Sequence, residues 1–361
     1  MKTASGKEGT MDYRLDQAAE KEGFSGAAGA DSGDAGVRAF AWGLADRSEE
    51  RENRPDTKFG IASGCKVFTA VAVLRLVEEG KLSLESTLAE CLDVTFPDFD
   101  PNITVHQLLT HTSGVPDYFD EAVMDDFEEL WKELPMYTIR SLNDFLPLFR
   151  DRGMMFGPGE RFHYNNAGYI LLGLIAEQAS GMRFTDYVEK HVFRPAGMTD
   201  SGYWPLDRLP KNTATGYIDE EDGTWRTNVY SLPVQGGSDG GAFTTVPDMH
   251  KFWDALLGRR LLGNELTARL LTRHAEDEDG DGYGYGVWVD MEDGRAKRIH
   301  VMGYDPGVSF HSAIYPASGA VFTAASNKSE GAYPMMEAFE EYLHSMEGNH
   351  EPDQSSDAWR Q

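Results

Sequence analysis

Strand-forming text stands at both ends of this chain and helical periodicity fills the space between, so any sheet must be assembled from segments far apart in sequence. From residue 23 onward, GFSGAAGA, VRAFAWGLAD and TKFGIA read as short strands broken by Gly/Asp turns. At Ser63 the period changes. Phe68, Val71, Ala72, Leu74 and Val77 recur at helical spacing until Gly80, which is placed to cap the segment. Further helical stretches are predicted near 105–111, 141–150, 167–180, 184–192 and 247–257, joined by Gly/Pro-rich turns. After the acidic run EDEDGDG, strand text returns in YGYGVWVDM, KRIHVMG, VSFHSAIY and AVFTAASN, and a helix over 333–346 follows. With 361 residues, of which 40% are hydrophobic, one globular unit of two lobes around a cleft is expected. The sheet lobe takes about 12–62 and 282–346, and the helical lobe about 63–281. Residues 1–11 read as an N-terminal tail or tag, and 347–361, polar and without period, as a disordered tail.

Sixty acidic side chains against thirty-three basic ones give a formal net charge of −27. Such a field repels phosphate backbones and anionic lipid heads, so a nucleic-acid partner is not expected. No stretch approaches the length of a membrane span. The first residues lack the apolar run of a signal peptide, which points to the cytoplasm for the chain as written, although a trimmed leader would leave the same text. Two cysteines, Cys65 and Cys91, leave the redox compartment nearly open.

The chemistry is expected at Ser63-Gly64-Cys65-Lys66. A serine hydroxyl is a poor nucleophile at neutral pH and needs a positioned base and donors for the developing oxyanion. On the first turn of a helix, Ser63 would have Lys66 one turn on, about 5–6 Å away at Cβ, with the helix N-terminus favouring the alkoxide. Alone, the pattern fits a capping serine and a solvated lysine equally well. Its surroundings change the weighing: FGIASGCKVFTAVAVLRLVEEGKLSLESTL, then ITVHQLLTHTSGVPDY, then GPGERFHYNNAGYILLGLIAEQASG. From about residue 23 to 346 the chain resembles the serine β-lactamase-related and penicillin-binding protein-like enzymes of the class C type, which include DD-peptidases, esterases and D-aminopeptidases. The resemblance implies an α/β (α+β) fold in which an antiparallel sheet flanked by helices carries an inserted all-helical lobe.

Three motifs follow from it. Ser63 and Lys66 form the first. Tyr164-Asn165-Asn166 matches the second, Y-x-N, and is the only such match in the chain. There the Tyr164 hydroxyl, held near the Lys66 ammonium, would have its pKa lowered and take the Ser63 proton, so the Lys66/Tyr164 pair is assigned proton handling. Asn166 would orient Lys66 and the substrate amide. The third motif, Lys or His, then a small residue, then Gly, falls on Val301-Met302-Gly303 without a gap or on His300-Val301-Met302 after a shift of one; neither fits the pattern fully, and the ungapped register is preferred. These three are expected to line the substrate path, with Gly303 letting substrate backbone approach the strand and His300 on the opposite face. By resemblance the oxyanion donors are the backbone N–H groups of Ser63 and Tyr304. Without the motif's cation, a carboxylate substrate loses its anchor. Asp305 could favour an amine but reads first as a solvated turn residue.

Other constellations are weaker. Gly236-Gly237-Ser238-Asp239-Gly240 matches the nucleophile elbow G-x-S-x-G, but Pro233 interrupts the approach and no helix follows at once. The run 277–282 opens like a calcium loop, yet its twelfth position is Trp288, so no metal is expected. His106 and His111 lie five apart and share no helical face, and His111 reads as structural. Cys65 reads as a packed small hydrophobe. The expected activity is therefore that of a serine hydrolase forming an acyl-enzyme on Ser63 from a small-molecule or peptide-like ester or amide, without a cofactor. A β-lactamase or DD-carboxypeptidase, and a non-turnover binding protein on the same fold, are the alternatives.

Overall fold

The computed structural model describes residues 10–32 and 36–347; the tails expected within 1–9 and 348–361 lie outside the described residues. Eight antiparallel strands form the main sheet: β1 (Gly26–Asp31), β2 (Arg38–Trp42), β3 (Ala275–Glu276), β4 (Gly282–Tyr283), β5 (Trp288–Glu292), β6 (Arg295–Asp305), β7 (Val308–Tyr315) and β8 (Ala320–Ser326). Their order is β2-β1-β8-β7-β6-β5-β4-β3, so the N-terminal hairpin docks on the last strand, with Gly26 opposite Ser326 and Asp31 opposite Val321. All eight residues of β7 are buried, as a strand covered on both faces requires.

One face is covered by α1 (Met11–Glu22) and α5 (Ala332–Glu347). The periodicity of 12–22 was not legible as a helix, but local chemistry defines it. The Thr10 side chain caps the first turn, Gly23 ends the helix at φ 56°, and Met11, Leu15 and Ala19 bury one stripe. That stripe packs with Phe24, Phe322, Met335, Met336 and Phe339 in a second core. Met11, expected in the tail, is a buried core residue.

The other face receives α2 (Lys66–Glu78) and α4 (Val246–Leu257). Trp253 on α4 donates from Nε1 to Ser312 Oγ of β7 at 2.8 Å. Ten of the thirteen residues of α2 are buried, so it is the central helix, walled by the sheet and by α3 (Asn166–Ser180). The middle of the chain is chiefly helical. It also contains a ribbon pairing Tyr217–Asp219 with Trp225–Thr227, and a short pair between Phe59–Gly60 and Phe243–Thr244, which the periodicity did not separate from turns.

Candidate active site

Ser63 stands where a strand hands over to a helix. A 3-10 turn over Ala62–Cys65 leads directly into α2. Ala62 adopts φ 44°, a left-handed conformation that costs an alanine about 1–2 kcal/mol and marks stored strain beside Ser63. The turn is pinned on both sides. Ile61 N–H donates to the Ala242 carbonyl at 3.0 Å and Gly241 N–H to the Ala62 carbonyl at 3.3 Å. On the sheet side lies Gly303, where an added Cβ would sit 2.1 Å from the Ile61 oxygen, 2.7 Å from Gly64 N and 2.8 Å from Ser63 N.

The ammonium of Lys66, almost fully buried, donates to three oxygens: Ser63 Oγ at 2.9 Å, Asn166 Oδ1 at 2.8 Å and the Asp239 carbonyl at 2.8 Å. Its Nζ lies 4.8 Å from the centre of the Tyr164 ring. The Tyr164 hydroxyl faces Ser63, whose side chain pulls its pKa down. Ser63, Lys66, Tyr164 and Asn166 thus meet at one point, although 100 residues separate Lys66 from Asn166.

Helix α3 sets the second pair. Its cap residue Asn165 accepts from Gly168 N–H at 2.7 Å and donates from Nδ2 to the Val115 carbonyl at 2.8 Å, so Tyr164 and Asn166 flank a fixed point. Asn165 N–H donates to His111 Nδ1 at 3.1 Å, which leaves the proton of a neutral His111 on Nε2. That ring packs 4.5 Å from Tyr164 and 4.7 Å from Tyr283. Trp288, the residue at the wrong end of the apparent calcium loop, stacks on Tyr164 at 6.2 Å. Burial, then the negative charge of Glu121, push the Tyr164 hydroxyl well above the ordinary phenol range. This reverses the expected lowering: the phenol is neutral in the resting site.

None of the three residues expected along the substrate path lines the cleft, whose strand wall begins at Tyr304. Val301 is 3% exposed and packs in the main core. Met302, opposite His311 in the ladder, faces the other side of the strand with His300, whose Nε2 lies 3.4 Å from Asp290 Oδ1. Gly303 meets the turn that carries Ser63, so the space reserved by its missing side chain is already filled by protein. Tyr304 projects its ring to the back of the sheet, where its hydroxyl meets His311 Nε2 at 2.5 Å. Its backbone stays at the cleft wall beside Ser63.

Several groups around the site were not expected there first from the sequence. Asp117, buried, accepts from Asn166 N–H at 2.8 Å and Ala167 N–H at 2.9 Å, holding the start of α3. Burial pushes its carboxyl up to about 7 against the pull of those N–H groups. Asp239, whose carbonyl holds Lys66, receives the Tyr118 hydroxyl on its carboxylate. Asp305, read as a solvated turn residue, is half-buried on the cleft wall, and burial together with Asp239 pushes it up to about 8. Ser238 is fully buried and donates to the Tyr169 carbonyl at 2.7 Å, so the G-x-S-x-G loop presents no nucleophile. Cys65 is likewise buried, its thiol pushed up to about 11. The cleft measures about 910 Å³.

A family model described as Beta-lactamase matches residues 11–343. Penicillin-binding protein 4* of Bacillus subtilis (strain 168) is 32% identical over 253 residues, 66% of this chain, which spans only about half (53%) of that relative's length. The crystal structure of a penicillin binding protein from Bacillus halodurans is 55% identical with a TM-score of 0.88, covering 91% of this chain and 99% of that one. The octameric penicillin-binding protein homologue from Pyrococcus abyssi is 26% identical at a TM-score of 0.80, covering 95% of this chain and 78% of that one. With its sheet, its central helix and nearly its whole length matched, the chain belongs to the β-lactamase family, the serine hydrolases related to penicillin-binding proteins.

Proposed function

We propose that this chain hydrolyses esters or amides through an acyl-enzyme on Ser63, with Lys66 as the base and Tyr164 as its partner. The observation that carries the reading is the set of three oxygens around Lys66 Nζ. The Asp239 carbonyl and Asn166 Oδ1 can only accept, so they fix two N–H bonds of the amine. When Lys66 is neutral its lone pair has one direction left, toward Ser63 Oγ at 2.9 Å, within the reach a general base needs. Asn166 keeps this orientation because its own Nδ2 donates to the Phe119 carbonyl at 3.2 Å. Tyr164, held neutral by burial, is a proton donor placed for the leaving group.

The reaction then runs in two halves. Ser63 Oγ attacks the carbonyl carbon as its proton passes to Lys66, and the carbonyl oxygen becomes an oxyanion held by the backbone N–H groups of Ser63 and Tyr304. Ser63 N–H lies in the first turn of its helix, where no intrahelical acceptor exists, which supports this role. The leaving oxygen or nitrogen departs with a proton from the Lys66/Tyr164 pair. Water repeats the sequence to release the acyl group and restore the Ser63 hydroxyl. The partners are small-molecule or peptide-like acyl compounds rather than nucleic acid, in keeping with the net charge of −27, and the cytoplasm is the proposed setting. Among the described residues no helix is long and apolar enough to cross a membrane.

Steady-state hydrolysis of p-nitrophenyl butyrate by wild type and Ser63→Ala tests the assignment. Turnover that falls to background in the variant is the expected result. Equal hydrolysis by both proteins would remove Ser63 from the mechanism. The 55% identity to the Bacillus halodurans penicillin binding protein favours a second reading, in which β-lactams acylate Ser63 and are released slowly. Stoichiometric labelling by a fluorescent penicillin, lost in Ser63→Ala, separates that reading from simple esterase activity.

A further inference from the structure

Resting on the acyl-serine reading, we infer that His311 is a positioning residue for the oxyanion: through its hydrogen bond to the Tyr304 side chain it keeps the Tyr304 backbone N–H aimed at the reacting carbonyl. The sheet itself leaves that N–H free. Pro306 and Gly307, the latter at φ 73°, make a two-residue turn, and Asp305 opposite Val308 closes it as a hydrogen-bonded pair. Alternation then makes Tyr304 and Ser309 a non-hydrogen-bonded pair, so the Tyr304 N–H points away from β7, toward the other edge of β6. Along that edge β5 stops pairing at His300, opposite Trp288, and the turn of Ser63 packs beside Gly303 instead. The donor proposed for the oxyanion is thus carried by a strand end that is paired on one side only.

Packing does not hold that end by itself. Tyr304 is 46% exposed and stands between the cleft and a second hollow of about 480 Å³. Its hydroxyl nevertheless turns inward, to His311 Nε2 at 2.5 Å, where a tyrosine this exposed could have given it to water. His311 sits one strand further in, on β7, and is fixed there: Met302 lies opposite it in the ladder, and the rings of Tyr333 and His300 lie 5.3 and 6.2 Å from its own. Two of its neighbours on β7 are anchored as well. Ser312 Oγ accepts from Trp253 Nε1 at 2.8 Å, and Ser309 Oγ accepts from the Ala332 N–H at 3.3 Å. His311 is 1% exposed, yet its Nδ1 has no hydrogen-bond partner among the described residues. A buried imidazole with one nitrogen unpaired weakens a fold, so stability alone does not account for a histidine here, whereas the bond to Tyr304 does. Burial lowers His311 to about 3 and raises the Tyr304 phenol to about 12, so the tether joins two uncharged groups through neutral pH.

The pair exchanges no proton with the substrate. It resists tilting of the Tyr304 peptide as the carbonyl oxygen gains charge, the moment at which an aimed donor matters. The test compares p-nitrophenyl butyrate hydrolysis by wild type, Tyr304→Phe, His311→Phe and the double variant, each of which keeps an aromatic ring in place. We expect kcat to fall about tenfold in either single variant with KM within about twofold of wild type, because a loosened donor loses part of the roughly 10²–10³-fold that one oxyanion donor supplies. The double variant should lose no more than about twofold beyond the worse single one, since both changes remove the same bond. The inhibition constant of butylboronic acid, which forms a tetrahedral adduct on Ser63, should rise about tenfold in step with the fall in kcat. Unchanged kcat in Tyr304→Phe, losses that multiply in the double variant, or a boronate affinity that does not follow kcat would overturn the inference. If urea denaturation shows that His311→Phe does not fold, Tyr304→Phe, which removes only a hydroxyl from a half-exposed ring, decides through its kcat, KM and boronate affinity. Should ester hydrolysis persist in Ser63→Ala, the acyl-serine reading falls instead, and that control tells the two failures apart.

Discussion

Replacing Gly303 by alanine tests what the third motif does in this chain. The new Cβ would meet the Ile61 carbonyl oxygen at 2.1 Å, against 3.4 Å for the start of ordinary contact, a deficit of 3.4 − 2.1 = 1.3 Å. The next two neighbours, Gly64 N at 2.7 Å and Ser63 N at 2.8 Å, are also backbone, so no side chain can swing aside. The strand has no room to retreat either, because Phe310, opposite Gly303 on β7, already packs beneath Gly64 with its ring 2.5 Å from that glycine's missing Cβ. The turn carrying Ser63 must therefore shift by roughly 1 Å relative to the Tyr304 N–H, and misplacement on that scale costs on the order of 100-fold in rate. Overpacking adds about 1–3 kcal/mol of lost stability. With p-nitrophenyl butyrate as substrate, Gly303→Ala should lose about 100-fold in kcat with little change in KM, and urea denaturation should give a lower midpoint. A variant within about threefold of wild-type kcat, but with a raised KM, would refute the argument and return Gly303 to the substrate path.

Removing only the Tyr164 hydroxyl, as Tyr164→Phe, should lower kcat by about 10²–10⁴-fold while leaving the fold intact, since the ring contacts with His111 and Trp288 persist; wild-type turnover by the variant would leave proton handling to Lys66 alone. Phe310→Ala, emptying a fully buried site between the Ser63 turn and the sheet, should cost about 3–5 kcal/mol in denaturant unfolding, and a loss below about 1 kcal/mol would contradict the packing described. Asp117 has a folded pKa of about 7, above the ordinary carboxylate value, so its contribution is fully present below about pH 4 and is lost as pH rises through 7. Asp117→Asn removes that term, and its stability relative to wild type should therefore improve between pH 4 and pH 8. A difference that stays constant across that range would place the Asp117 carboxyl at an ordinary pKa.

What was legible in the sequence and what was not divide along a physical line. Period and punctuation carry local information, so the change from alternation to helical spacing at Ser63 could be read directly, whereas Ser63, Lys66, Tyr164 and Asn166 were expected as site residues through the family resemblance of the text around them. Helix α1 escaped because its buried stripe is only Met11, Leu15 and Ala19, too thin to stand out among acids and lysines. The carboxylates of the site escaped for a different reason. Asp117, Asp239 and Asp305 each sit beside Gly or Pro, where an acidic residue is the ordinary choice for a turn, and nothing local distinguishes a turn Asp in water from one folded against a buried lysine. Only the long-range packing that buries 117, 239 and 305 raises their proton affinities, against the opposing pull of the Lys66 charge.

Gly303 shows the same limit from the other side. Its presence was legible and its place in the third motif was assigned, but a glycine in a strand announces only that some backbone comes close, not which one. The contacts identify the visitor as the turn of Ser63. A motif glycine can thus be required for the nucleophile while the two residues before it, Val301 in the core and Met302 on the far face, are free of any duty to substrate. That freedom lets the chain keep the turn of Ser63 intact while lacking the cation of its third motif, and the strand wall of the cleft begins just beyond, at Tyr304 and Asp305.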